Sequence, residues 1–286
     1  MPVAPDPYPA FGSYAYPHRL VTTEWLSANL GTPGLKIIEC NADVLLYGIG
    51  HVPGAGKLDW RSDLDDPVTR DYIDGERFTE LMCAQGIEYD DTVVLYGNDG
   101  NSHAAHALWV FTMFGHRDVR LLDGGREAWI AEGRDTVFET PEHPRSRYPR
   151  AHRDDATVRA FREYVLEHLG TALVDVRSPQ EFAGFSDDTA RGALRGGHIP
   201  TAVNIPWSSA LGPDGRFRPR SELDAIYGHL TTADPLTVYS GVGERSSHTW
   251  FVLKYLLGCP TVRNYDGSWT EWGNSVRMPI ATGGAG

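Results

Sequence analysis

Short apolar runs alternate with helix-spaced stretches along most of this chain, and that alternation points to a fold class before any single residue is weighed. Residues 172–176 (ALVDV) form an apolar run suited to a strand buried on both faces, and 235–239 (PLTVY) form another. The second run leads through a Gly-containing turn into 246–257, where Trp250, Leu253 and Leu257 fall at helical spacing and Gly258 supplies a stop. Earlier in the chain, 92–96, 104–114 and Gly115 follow the same order. Strands alternating with helices predict an α/β architecture, each sheet parallel with helices on both faces. Ligands are then expected at the carboxyl ends of the strands.

The pattern occurs twice. Asp123, Gly124 and Trp129 match Asp266, Gly267 and Trp272, each pair 143 residues apart, and Tyr96 matches Tyr239 at the same offset. Upstream, Gly50-His-Val-Pro-Gly-Ala55 matches Gly197-His-Ile-Pro-Thr-Ala202 at an offset of 147. Ordered motifs recurring at a nearly fixed period mark a tandem duplication. We therefore expect a first domain over 18–136, a linker over 137–157 rich in Pro, Arg and His, and a second domain over 158–280.

Composition narrows the function classes. With 41% hydrophobic and 22% charged residues in 286, there is material for two globular cores. No run reaches the roughly 18–20 apolar residues that span a bilayer. The N-terminus lacks the basic and apolar regions of a secretory signal, so a cytoplasmic protein with an irregular N-terminal surface arm is expected. A net charge of −12 argues against a nucleic-acid partner. Three widely spaced cysteines, Cys40, Cys83 and Cys259, fit neither a disulfide framework nor a zinc site and read as small hydrophobes. No metal or organic cofactor is implied.

The turn Ser240-Gly-Val-Gly-Glu-Arg245 is where chemistry is expected. Successive N–H groups in a tight loop at a helix N-terminus form an anion cradle. Gly241 and Gly243 are expected to supply its positive φ angles. Ser240 would sit at the centre, Arg245 would add a full charge, and Val242 and Glu244 complete the wall. Read locally, the same stretch is equally an ordinary turn before a capping serine.

The duplicated GH(V/I)P-x-A, the DVRSP at 175–179 and the YDGSW-x-EW at 265–272 resemble the two-domain rhodaneses, the thiosulfate and 3-mercaptopyruvate sulfurtransferases. The similarity is greatest to actinobacterial thiosulfate sulfurtransferases, whose loop reads C-R-x-G-E-R-S-S-H-T-W. The resemblance implies tandem rhodanese-like domains with only the second catalytic. It further implies a cysteine at the first loop position that takes sulfane sulfur from a small anionic donor as a persulfide and passes it to a thiophilic acceptor. Gly97 holds that place in the first half, and Ser240 in the second. Oxygen cannot form the persulfide, and a serine hydroxyl needs a neighbouring base to act. The persulfide chemistry of the family is therefore expected to be disabled as written. Gly241, where the family has arginine, and Asn101-Ser-His103, where bulky aromatics are expected, favour natural divergence over one deliberate Cys→Ser change.

Other residues divide between site and scaffold. Arg177 matches a family arginine beside the substrate anion, or alternatively pairs with Glu181, where many relatives carry another arginine. His248 could face Ser240, though a packing role is favoured. His103 and His106 open the equivalent helix of the first half and are candidate substrate contacts. Arg191 and Arg195 lie in a polar insertion, 186–195, read as a solvated loop or a lid. His51 and His198 recur in both halves, which argues for structure. The loop is one residue shorter between its first position and arginine than the C-x5-R of related phosphatases, so a phosphate bowl is not expected. Two further readings stay open: a repurposed enzyme using the loop as an oxyanion cradle for lyase, cyclase or hydrolase chemistry, and a non-catalytic anion-binding or regulatory protein.

Overall fold

A computed structural model describes residues 3–185 and 192–284. It divides into two compact units, Met1–Asp154 with Leu211–Phe217, and Asp155–Ala210 with Arg218–Gly286. In the first, β1 (Leu20–Val21), β2 (Leu35–Glu39), β3 (Gly56–Lys57), β4 (Thr92–Tyr96) and β5 (Asp118–Leu122) form a sheet of order β1-β5-β4-β2-β3. In the second, β6 (Ala172–Asp175), β7 (Val203–Asn204), β8 (Leu236–Tyr239) and β9 (Val262–Tyr265) run in the order β7-β6-β8-β9. Every pairing is parallel. All residues of β4 and β8 are buried, which is why neither strand shows polar alternation. The expected α/β class holds in both units.

The duplicated motifs build the same joint twice. Glu39 lies beside Tyr96 at the carboxyl ends of β2 and β4, and Asp175 beside Tyr239 at those of β6 and β8. The Tyr96 hydroxyl donates to Glu39 and accepts the Val52 N–H at 2.9 Å. The Tyr239 hydroxyl accepts the Ile199 N–H at 3.0 Å. Burial, reinforced by the adjacent carboxylate, pushes both phenols well above their ordinary range, so they stay protonated. His51 stacks on Tyr47 with centroids 3.7 Å apart, and His198 on Phe182 at 3.6 Å. Each histidine also places Nδ1 against the backbone carbonyl of its stacking partner, at 3.0 and 2.8 Å. The recurrent GH(V/I)P segment is thus a docking joint between a loop and the strand ends.

Around these joints the cores close with large aromatics. Trp129 packs with Val21, Leu26, Val94 and Leu122 in the first unit, and Trp269 and Trp272 with Leu173, Ile199 and Tyr265 in the second. Burying such a side chain contributes about 2–3 kcal/mol. The N-terminal arm is anchored more firmly than a surface arm: Phe11 and Tyr14 are buried, and Asp6 accepts from the Thr22 N–H and hydroxyl, each at 2.7 Å. Among the described residues, no helix is long and apolar enough to cross a membrane.

One segment departs from simple chain order. Leu211–Phe217 belongs with the first unit, closed on itself by Gly212 N–H to Arg216 C=O at 2.8 Å. The Phe217 N–H donates to Asp123 at 2.9 Å. Asp123 is buried, and that burial pushes its carboxyl up to about 7. Its repeat counterpart Asp266 is instead gripped by Arg159 at 2.7 and 2.9 Å.

Candidate functional site

β8 ends at Tyr239 and the helix Glu244–Phe251 begins five residues later, so Ser240–Gly243 must reverse the chain within four residues. Gly243 makes this possible. Its φ is +105°, a conformation that strains any side chain, and a Cβ there would sit tightly against Asp266 at 3.1 Å. The helix starts two residues before the expected 246 and is capped by Gly243 rather than by a serine. Ser246 and Ser247 instead bond backwards, their hydroxyls donating to the Gly243 carbonyl at 3.0 and 2.8 Å. Gly241 does not have positive φ, contrary to expectation.

The turn's carbonyls are tied down. Ser240 C=O accepts from Trp269 N–H at 3.0 Å, and Gly241 C=O accepts from the N–H and hydroxyl of Thr270 at 3.0 and 2.9 Å. The N–H groups are treated differently. Ser240 N–H donates to the Ser268 hydroxyl, and Gly243 N–H to the Ser240 hydroxyl, both at 3.0 Å. The N–H groups of Gly241, Val242, Glu244 and Arg245 meet no acceptor among the described residues. Backbone donors rarely go unanswered in folded chains. Glu244 and Arg245 open the helix, where the first N–H groups have no intrahelical partner, and with Gly241 and Val242 they leave four donors on one turn, an arrangement able to receive an anion.

Ser240 is completely buried, and its hydroxyl is engaged by Gly243 N–H and, at 3.3 Å, by the Ser246 hydroxyl. It is not engaged by His248, whose ring packs edge-on against Trp207 at 5.1 Å. Burial pulls that imidazole down to about 3, so it is neutral at any ordinary pH. No Ser–His dyad forms. Ser246 and Ser268, which flank Ser240 directly, escaped the sequence reading, although Ser268 lies inside the repeated DG motif opposite Gly125 of the first half.

Arg245 carries the local positive charge, and it is already paired. Its guanidinium donates to both oxygens of Glu181 at 3.0 and 3.1 Å, and its Nε lies 3.3 Å from Glu244. Arg177 does not pair with Glu181. It clamps Asp175 at 2.6–3.1 Å, donates to Gly197 C=O at 2.7 Å and stacks over Trp269 at 4.6 Å. Arg195 donates to the carbonyls of Trp272, Gly273, Ser275 and Met278, a structural pin rather than part of a lid. Arg191 lies outside the described residues. His103 and His106 sit in the first unit, in an aromatic cluster with Trp60 and Tyr72; the Trp60 ring is 5.0 Å from His103 and 6.0 Å from His106. Cys40 and Cys259 are buried, and burial pushes Cys40 well up and Cys259 up to about 11, while the half-buried Cys83 lies in the helix Gly75–Ala84 of the first unit and not in this turn.

The equivalent turn of the first unit starts at Gly97, and most of its N–H groups are met by acceptors of the same unit. Asn101 Oδ1 accepts Gly97 N–H at 2.9 Å while its Nδ2 donates to Leu122 C=O at 2.7 Å. The N–H groups of Asn98, Asp99 and Asn101 go to Asn41 Oδ1, Glu127 Oε1 and Asn98 C=O. Asp99, Gly100 and Asn101 hold consecutive left-handed φ angles of 51°, 58° and 65° to do so.

Comparison with known proteins bears out the resemblance read from the motifs. The rhodanese-like domain family matches residues 22–132 and 161–275. The chain is 58% identical to a thiosulfate sulfurtransferase of Corynebacterium glutamicum, over 97% of this chain and 95% of that one. It is 57% identical to the putative thiosulfate sulfurtransferase SseA of Mycobacterium tuberculosis, over 99% and 97%. Among solved structures, YnjE superposes with a TM-score of 0.78 at 26% identity, covering 95% of this chain and 70% of that one.

Proposed function

The chain belongs to the rhodanese-like family, whose domain it carries twice, and on that premise we propose that it is a thiosulfate sulfurtransferase-type protein binding a small sulfur oxyanion at Ser240–Arg245. The observation that carries this reading is the set of unanswered N–H groups at Gly241, Val242, Glu244 and Arg245, on the turn that presents the Ser240 hydroxyl. Thiosulfate sulfurtransferases at 57–58% identity support the same substrate class. The partner is a small anion in the cytoplasm, neither nucleic acid nor membrane.

In this reading the donor's oxygens accept from the loop N–H groups and its outer sulfur meets position 240. With a thiolate there, a new S–S bond forms to the outer sulfur while the donor's own S–S bond breaks, and sulfite leaves with the electron pair. The resulting persulfide hands its sulfur to a thiophilic acceptor. Ser240 stops this sequence at binding: its hydroxyl is hardly ionised, no base engages it, and oxygen does not make the persulfide. The chain as written is therefore a binder of the donor without turnover.

The test is Ser240→Cys assayed for sulfite release from thiosulfate with cyanide as acceptor. The parent stays at background, and the variant gains at least about a thousandfold, the order expected when an absent nucleophile is supplied. A folded variant that stays silent removes the reading.

A further inference from the structure

The ion pair across the rim of the turn is the feature that the family chemistry leaves unexplained. Arg245 is the cation an anion site would use, yet its guanidinium is gripped by both oxygens of Glu181, and the two side chains are only 11% and 7% exposed. The guanidinium also lies against the turn itself, because a Cβ added at Gly241 would sit 2.9 Å from Arg245 Nη2. Glu181 is fixed independently of this contact: it is the third residue of the helix Pro179–Ala183 and closes a capping box with Ser178, at 2.9 and 3.2 Å. Burial opposes its charge, but the Arg245 guanidinium outweighs that and draws the carboxyl down to about 2. Glu181 is therefore ionised throughout the working pH range.

Two planar, complementary groups held this way form a strong fork-to-fork contact. An incoming oxyanion that wants the guanidinium must displace a carboxylate anchored on its own helix. The loop N–H groups are dipoles, whose field is weaker and shorter in range than that of a free guanidinium, so they reward the second negative charge of a dianion less than an unpaired Arg245 would. We infer that Glu181 is a specificity-determining residue: by holding Arg245 in an internal pair, it makes the 240–245 turn receive ligands on backbone N–H groups alone and lowers its preference for doubly over singly charged oxyanions. The inference rests on the anion-binding reading of the same turn and adds to it the charge class of the ligand.

Calorimetric titration of thiosulfate, a dianion, and methanesulfonate, a monoanion, into the full chain tests it. Glu181→Gln keeps the capping box, since glutamine serves at that position, and removes the charge. The variant is expected to bind thiosulfate about tenfold more tightly than the parent, with a smaller gain for methanesulfonate. The gain should vanish in the Glu181→Gln/Arg245→Gln double variant, which returns to within about twofold of the parent. A merely structural role for Glu181 predicts weaker binding, not tighter. Equal thiosulfate affinity in parent and Glu181→Gln, or a gain that survives loss of Arg245, overturns the inference and leaves the site reading intact. Thiosulfate binding to neither protein overturns the site reading, and the inference with it. Should Glu181→Gln not fold, the double variant decides: a loss beyond about tenfold against the parent overturns the inference.

Discussion

The turn after β4 and the turn after β8 begin from the same place in the same fold and end in opposite states. In the first, Asn101 folds back between Gly97 and Leu122, and the N–H groups of Gly97, Asn98, Asp99 and Asn101 all find partners within their own unit. In the second, the carbonyls of Ser240 and Gly241 are tied to 269–270 and the N–H groups of four residues are left open. A parallel sheet delivers a strand end to a helix start in both cases, so the architecture supplies the position and not the site. The difference between the two turns lies in how many of their donors are answered within their own unit.

The sharpest way to break this comparison is to place a cysteine at the matching position of each turn. Ser240→Cys should gain sulfite release by at least about a thousandfold over the parent. Gly97→Cys should gain none and should lose folded protein, because a Cβ at 97 would lie 2.1 Å from the Cys40 carbonyl oxygen. Sulfite release and circular dichroism on both variants read the contrast, and turnover from Gly97→Cys would end it.

The repeat pair Asp123 and Asp266 sharpens the comparison next. Folded Asp123 keeps its proton up to about pH 7, whereas the unfolded chain releases it near 3.8. Unfolding therefore releases a proton between these values, and this group's contribution to stability falls as pH rises from about 4 through 7, by roughly 4 kcal/mol in total. Asp123→Asn should flatten that part of a urea-unfolding pH series. Asp266→Asn breaks the pair with Arg159 and should cost about 3 kcal/mol in the same unfolding assay.

Two smaller effects follow. Asn101→Ala strips the partners from Gly97 N–H and Leu122 C=O and should cost about 2–4 kcal/mol by denaturant unfolding, while Ser240→Cys turnover in that background stays within about twofold. Gly243→Ala forces a side chain to φ +105° and should cost about 1–2 kcal/mol while weakening thiosulfate binding. An alanine tolerated there with unchanged affinity would show that the turn does not need its present shape.

Much of this was legible in the sequence. Apolar runs without alternation gave the buried strands, and the twice-used GH(V/I)P and DG motifs gave the duplication, because strand burial and loop docking are written in local patterns. The turn's place between strand and helix was legible, and so was the left-handed φ of Gly243, whereas Gly241 does not adopt the positive φ expected of it. What the local pattern does not carry is the choice of partner among several within reach. Arg177 had Glu181 four residues away, yet it turns to Asp175, and Glu181 goes to Arg245 across 64 residues. Asn101 as a plug was equally hidden, since its role depends on a left-handed φ and on a carbonyl at Leu122. The return of Leu211–Phe217 to the first unit has no composition signal at all.

The paired tyrosines at the ends of β4 and β8 bear on how such a protein changes over generations. Each holds its GH(V/I)P loop through one hydroxyl and one backbone N–H, and neither hydroxyl touches the turn that follows it. A change in a turn therefore leaves this loop–strand joint in place, even where it costs stability in the turn itself. In one unit the turn is closed by the side chain of Asn101, and in the other four donors stay open around Ser240.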